Sequence, residues 1–165
     1  MNVKVEICVE STSFAEAAAK AGADRLEVCD RLDLDGLTPQ LGVVASALDT
    51  GASVVVMLRN RGDFLAGNDG GASLLGPLRE FASLGVQGVV FGFLQADGQL
   101  DWESNRRLLE AAKEHDLEVV FHRAIDAASD PLLAAAQLQE LQFDRVLSAG
   151  GAGTICLLYT SPSPR

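Results

Sequence analysis

The chain has 165 residues, 48% of them hydrophobic, which is enough for one domain with a real core and too few for two ordinary ones. Thirteen Lys and Arg stand against 23 Asp and Glu, a net charge of -10 at pH 7. Such a balance excludes the clustered positive charge that nucleic-acid binding and anionic membrane surfaces require.

Short β-branched runs alternate with segments of helical spacing. Residues 3–9 predict a first strand, and Phe14, Ala17, Ala18 and Ala21 predict the apolar face of a first helix. Ser13 and Glu16 have the spacing of a capping box at its start. A second strand is expected over 25–29. The helix after it is expected to have Thr38 as N-cap before Pro39 and an apolar face of Leu41, Val44, Ala45 and Leu48. A third strand is predicted over 53–58, then a helix with Leu74, Leu75, Leu78, Phe81 and Ala82 on one side. A fourth strand falls at 88–93, followed by a less regular helix that includes Trp102, Leu108, Leu109 and Ala112. A fifth strand falls at 118–122, a helix opened by Asp130-Pro131 comes next, and a sixth strand falls at 145–148. Gly22, Gly51 and Gly85 stand where left-handed C-caps end helices.

Six strands alternating with five helices predict a parallel sheet with crossover helices, because only such strands are buried on both faces and read as continuous apolar runs. The segment after the first strand, Glu10-Ser11-Thr12-Ser13, lacks the glycine fingerprint of a dinucleotide fold. The expected architecture is therefore an incomplete (β/α)8 TIM barrel over residues 1–155, with two closing strands not represented. An open sheet edge on strands one and six predicts poor solubility or partial unfolding of the chain alone. Residues 156–165 match nothing in this pattern. They can be encoded by a stretch resembling a transposon-end sequencing adapter, and are expected to be an artefact tail.

The N-terminus shows no long apolar run, and no stretch is long enough for a membrane span. Two cysteines outside the tail and no export signal point to a reducing cytoplasm. In a barrel the chemistry sits at the C-terminal ends of the strands. Several charged or nucleophilic side chains fall in or just after strands: Glu6, Cys8, Arg25, Glu27, Cys29, Arg59, Arg61, Arg123, His122 and Asp126. Buried charges need partners or a purpose. The residues predict a polar pocket in which Glu6, Glu27 and His122 carry acid–base chemistry. Arg25, Arg59, Arg61, Arg123 and Asp126 would hold a small polar or phosphorylated, sugar-like substrate. The same set also fits a self-paired network such as Glu27 with Arg59. Cys8 and Cys29 share the inward alternation of neighbouring strands. If the register matches, they lie side by side and could hold a soft ion such as Cu(I), although small buried core side chains would look the same. His115, near a helix C-terminus, reads as a solvated cation. Lys4, Lys20 and Lys113 are not placed for Schiff-base chemistry.

These segments, taken together, resemble the CutC family of copper homeostasis proteins. The resemblance rests on Glu6-Ile7-Cys8 and on the run from Gly22 to Cys29, which reads Gly-Ala-Asp-Arg-Leu-Glu-Val-Cys. It continues with Gly36-Leu37-Thr38-Pro39, Arg59-x-Arg61-Gly62-Asp63-Phe64, and Gly88 to Gly92 with Asp97-Gly98. Phe121-His122-Arg123-Ala124 with Asp126, and Arg145-Val146-Leu147 with Gly150, complete it. It implies a (β/α)8 barrel and a copper(I) role through Cys8 and Cys29. A copper ion or small molecule is the expected partner, and a homo-oligomer is an open expectation for the full-length protein. The third-strand motif departs from the family pattern. Asn60 replaces a proline, one glycine (Gly62) stands for two, and Leu65 replaces a tyrosine; near strand six, Ser148-Ala149-Gly150 stands for Thr-Ser-Gly.

Overall fold

A computed structural model describes residues 4–150. The 156–165 tail, with Cys156, lies outside them. Six strands, β1 (Glu6–Val9), β2 (Arg25–Val28), β3 (Ser53–Met57), β4 (Gly88–Phe91), β5 (Glu118–Phe121) and β6 (Arg145–Val146), form one sheet in sequential order, every neighbouring pair parallel. Five helices return the chain between them: α1 (Thr12–Lys20), α2 (Leu41–Asp49), α3 (Leu75–Leu84), α4 (Trp102–Lys113) and α5 (Pro131–Leu141). Among the described residues β1 pairs only with β2 and β6 only with β5, so the sheet is an incomplete (β/α)8 barrel, open between its first and last strands.

Strand alternation splits the core in two. Val54, Val56 and Leu58 pack outward with Leu78, Phe81, Val89, Phe91 and Leu108 beneath the helices, whereas Cys29, Val55, Met57, Val90 and Val120 pack together on the inner face. Each such side chain contributes about 1.5–3 kcal/mol by leaving water. The outer cluster is the larger, and it fixes which residues of every strand turn inward.

Several helix ends differ from expectation. Helix α1 is capped by Ser11, whose hydroxyl accepts from Phe14 N–H at 3.3 Å, not by Ser13. Its core residue is Ala15, and Phe14 is 61% exposed, because the helix turns Ala15 toward the sheet and leaves Phe14 on the outside. Thr38 does not cap α2, which starts at Leu41 after Gln40. A long-range bond wins instead: the Thr38 hydroxyl donates to Arg59 C=O at 3.0 Å and accepts from Arg59 N–H at 2.8 Å. Asp130 behaves as expected, accepting from Leu132 and Leu133 N–H with Pro131 at the first helical position. Asp101, which sequence spacing had not singled out, caps α4 through Ser104 N–H.

Candidate functional site

The inward side chains form two polar regions at opposite ends of the strands. Glu6 and Arg25 are first in their strands and directly paired in register, so they lie at the floor, the N-terminal end. Arg25 is buried there, donating to Glu6 Oε2 through Nε and to Glu118 Oε2 through Nη1 at 2.8 Å. Arg145 adds a charge contact to Glu118 Oε1 that lacks hydrogen-bond direction. Lys4, Asp24, Ser53 and Gln87 join these residues around a floor cavity of about 340 Å³. Arg25 and its carboxylates therefore form an ion-paired layer, in which Glu118 Oε1 has the Arg145 charge beside it but no hydrogen bond among the described residues.

At the other end, Cys8, Glu27, Cys29, Leu32, Asp35, Met57, Phe64, His122, Arg123 and Leu147 line a cavity of about 180 Å³. This lies at the C-terminal ends of the strands, where barrel chemistry is found. Glu27 is buried on β2, and burial pushes its carboxyl up to about 7, with the Glu6 charge and hydrogen bond adding to the shift. Cys8 and Arg25 act against it by favouring the carboxylate. Glu27 is thus poised to hold or release a proton near neutrality.

His122 follows β5 and is buried. Its Nδ1 accepts from Ala124 N–H at 3.2 Å, as N-cap of the turn at Arg123–Ala127, so the ring proton sits on Nε2. Burial, with the nearby Arg59 charge, lowers the imidazole to about 3. The ring is therefore neutral, and Nε2 is a buried donor with no acceptor among the described residues. A buried donor left over on a cavity wall calls for an acceptor oxygen inside the cavity, from a water or a ligand. Gly92 permits this placement, because a Cβ there would lie 2.9 Å from His122 Nδ1.

The arginines divide by task. Arg59 is buried and donates to the carbonyls of Leu34 (2.8 Å), Gly36 (3.1 Å), Gly62 (2.9 Å) and Asp63 (3.3 Å). It joins loops and does not line the cavity. Arg61 is exposed in a two-point pair with Asp63 and is not among the residues that line the cavity. Arg123 stands at the rim, 3.7 Å from Asp35 and 3.4 Å from Asp126. Asp126 accepts from Ser148 Oγ at 2.6 Å and Ala149 N–H at 2.8 Å, holding the segment after β6. Phe64, Asp35, Met57, Leu32 and Leu147 were not foreseen as site residues. Met57 ends β3, Leu32 opens a short 3-10 turn, and Phe64, Asp35 and Leu147 lie beyond the strands, where periodicity does not report placement.

Cys8 is paired in register with Glu27, not with Cys29, so the two cysteines are not side by side. The reason is the offset of β1 against β2, which puts Val9 opposite Val28 and lets Cys29 N–H reach Val9 C=O at 3.0 Å. Both thiols still line the same cavity. Cys8 is open to solvent along the free side of β1 but crowded inward; that desolvation and the Glu27 charge push its thiol up to about 12. Burial and the Glu27 charge bring Cys29 to about 12 as well. Among the described residues no three His, Cys, Asp or Glu side chains gather to hold a metal ion. With Nε2 protonated, His122 does not complete such a set. A resident metal centre does not fit this donor arrangement, and the soft donors that line the cavity among the described residues are the Cys8 and Cys29 thiols and the Met57 thioether.

No helix among the described residues is long and apolar enough to cross a membrane. The sequence profile of the CutC family matches residues 3–157. A family protein CutC from Aliivibrio fischeri is 39% identical over 152 residues, 91% of this chain and 62% of the relative, so the chain spans under two thirds of that relative's length. A Streptococcus agalactiae structure named for copper homeostasis, CutC, superposes with a TM-score of 0.83 at 31% identity, covering 92% of this chain and 75% of that one. A phosphoenolpyruvate phosphomutase from Streptomyces platensis shares the fold alone, with a TM-score of 0.62 at 18% identity over 89% of this chain and 60% of its own. Fold, profile and relatives agree that this chain belongs to the CutC family.

Proposed function

We propose that the cavity is the working site of a barrel enzyme acting on a small polar, sugar-like substrate. The observation that carries this reading is the buried, unpaired Nε2–H of His122 in the cavity wall. A neutral imidazole donor aimed at a substrate carbonyl or hydroxyl oxygen stabilises negative charge there as it develops. Glu27, titrating near neutrality in the same cavity, supplies or removes the proton. Arg123 at the rim receives an anionic substituent, and Phe64, Met57, Leu32 and Leu147 exclude water. Glu6 and Arg25 belong to the ionic floor on this reading, and Arg59 to the loop framework.

The test is proton NMR in D2O with a mixture of small aldoses, ketoses and their phosphates. Saturation transfer to a bound component is expected with the chain and lost with His122→Ala. Solvent deuterium incorporation next to the carbonyl is expected to stop with Glu27→Gln. Binding that survives His122→Ala unchanged would overturn the reading.

One observation favours a second reading, copper(I) as cargo in the cytoplasm: Cys8 and Cys29 open onto one cavity, and the Streptococcus agalactiae relative is named for copper homeostasis. Two thiolates suit a soft monovalent ion. Anaerobic competition against a chromogenic Cu(I) chelator tests it, and affinity retained after joint Cys8→Ser and Cys29→Ser substitution would end it.

A further inference from the structure

We propose that Arg59 is a positioning residue of this cavity: its guanidinium laces the β2–α2 loop to the β3–α3 loop and so seats Gly36 over Cys29 and Phe64 beside His122. The proposal rests on the cavity being the working site, as read above. Four hydrogen bonds to backbone carbonyls tie Arg59 to Leu34 and Gly36 on one loop and to Gly62 and Asp63 on the other. Its backbone is bonded to Thr38 in both directions, which anchors the far end of the first loop. A planar fork of donors can bridge two loops in this way, and the single ammonium of a lysine cannot.

The first loop needs such a tie. Arg31 (φ 51°), Asp35 (φ 61°) and Gly36 (φ 88°) all lie in the left-handed region, which is unfavourable for the two non-glycine residues. The loop is closed on itself by Asp30 and Leu37, which exchange backbone hydrogen bonds. At its inner point Gly36 lies against Cys29 and Met57: a Cβ there would sit 3.3 Å from Cys29 Cβ and 3.2 Å from Met57 Cε. This contact helps to bury Cys29 while Cys8 stays exposed. On the second loop, the guanidinium lies 4.7 Å over the Phe64 ring, whose centroid is 5.3 Å from that of His122. One side chain thus sets the cavity wall on both sides without entering it.

Cysteine alkylation reads this arrangement directly. In Arg59→Ala, Cys29 is expected to react with N-ethylmaleimide roughly tenfold or more faster relative to Cys8, since local opening no longer breaks charge-assisted hydrogen bonds. Millimolar guanidinium should restore slow labelling by refilling the site, and equimolar ammonium should not. Gly36→Ala, strained and crowded against Cys29, should also speed Cys29 labelling while Arg59 remains, and decides the matter if Arg59→Ala does not fold. Unchanged Cys29 labelling in either folded variant, or acceleration in Arg59→Ala that guanidinium fails to reverse, would overturn the proposal. Neither readout involves a substrate, so its failure leaves the proposed function standing, whereas ligand binding indifferent to His122→Ala removes that function and leaves the loop tie intact.

Discussion

The two ends of the strands are both polar, but they close their accounts differently. At the floor, Arg25 is held between Glu6 and Glu118, with Arg145 completing the layer. At the mouth, the His122 Nε2–H has no acceptor among the described residues, and Glu27 sits near its titration point. At the floor every charge has an opposite charge beside it, even where Glu118 Oε1 lacks a hydrogen bond, whereas the buried donor at the mouth has no counterpart and calls for a water or ligand oxygen. Residue type does not separate these cases, since each end has glutamates and arginines.

Substitutions should separate them. The largest expected effect is on proton transfer: Glu27→Gln should lower turnover of any cavity substrate by about 10²–10⁴-fold. The floor variant Arg25→Ala should instead cost about 3 kcal/mol of stability by stranding Glu6 and Glu118, seen as a lower midpoint in urea. A floor variant that abolished ligand binding while leaving stability untouched would break the distinction between the ends.

The pH dependence sharpens it further. Glu27 has a raised pKa in the fold, so the folded state holds its proton longer than the unfolded chain. Its effect is a stability loss as pH rises from about 4.5 to about 7, reaching up to about 3 kcal/mol and absent in Glu27→Gln. His122 has the opposite sign. Its pKa is lowered, so the unfolded chain takes up a proton first and stability falls as pH drops from about 6.5 toward 3. Denaturant titrations of the chain and of His122→Phe across this range should show a larger acid-side loss where the histidine is present, on top of the loss that paired carboxylates such as Asp63 and Asp69 give in both. The smallest effect belongs to Arg61→Ala, because an exposed pair with Asp63 contributes at most about 1 kcal/mol, and both ends should stay unchanged by melting and by ligand binding.

Much of this was legible in the chain. Apolar runs such as Val54-Val55-Val56 could only be strands covered on both faces, and Asp130-Pro131 announced its helix. The helix faces were less secure: Phe14 has the right spacing yet faces out, because four small residues near it allow more than one face to turn inward. For the site, Glu27 and His122 stood out as ionisable groups inside apolar strands. Glu6 and Arg25 stood out for the same reason but lie at the other end, since alternation gives the face of a strand and not the height along it.

The amino-acid sequence by itself determined a parallel strand–helix repeat with a polar interior, because hydrophobic periodicity is a local property of the chain. Tertiary structure decided which polar groups meet. Strand register set Cys8 against Glu27 instead of Cys29. Loop packing committed Arg59 to four carbonyls, and the turn after β5 gave Nδ1 of His122 a donor while leaving Nε2 without a partner. Those outcomes depend on contacts between residues far apart in the chain, and only the folded arrangement brings them within hydrogen-bond reach.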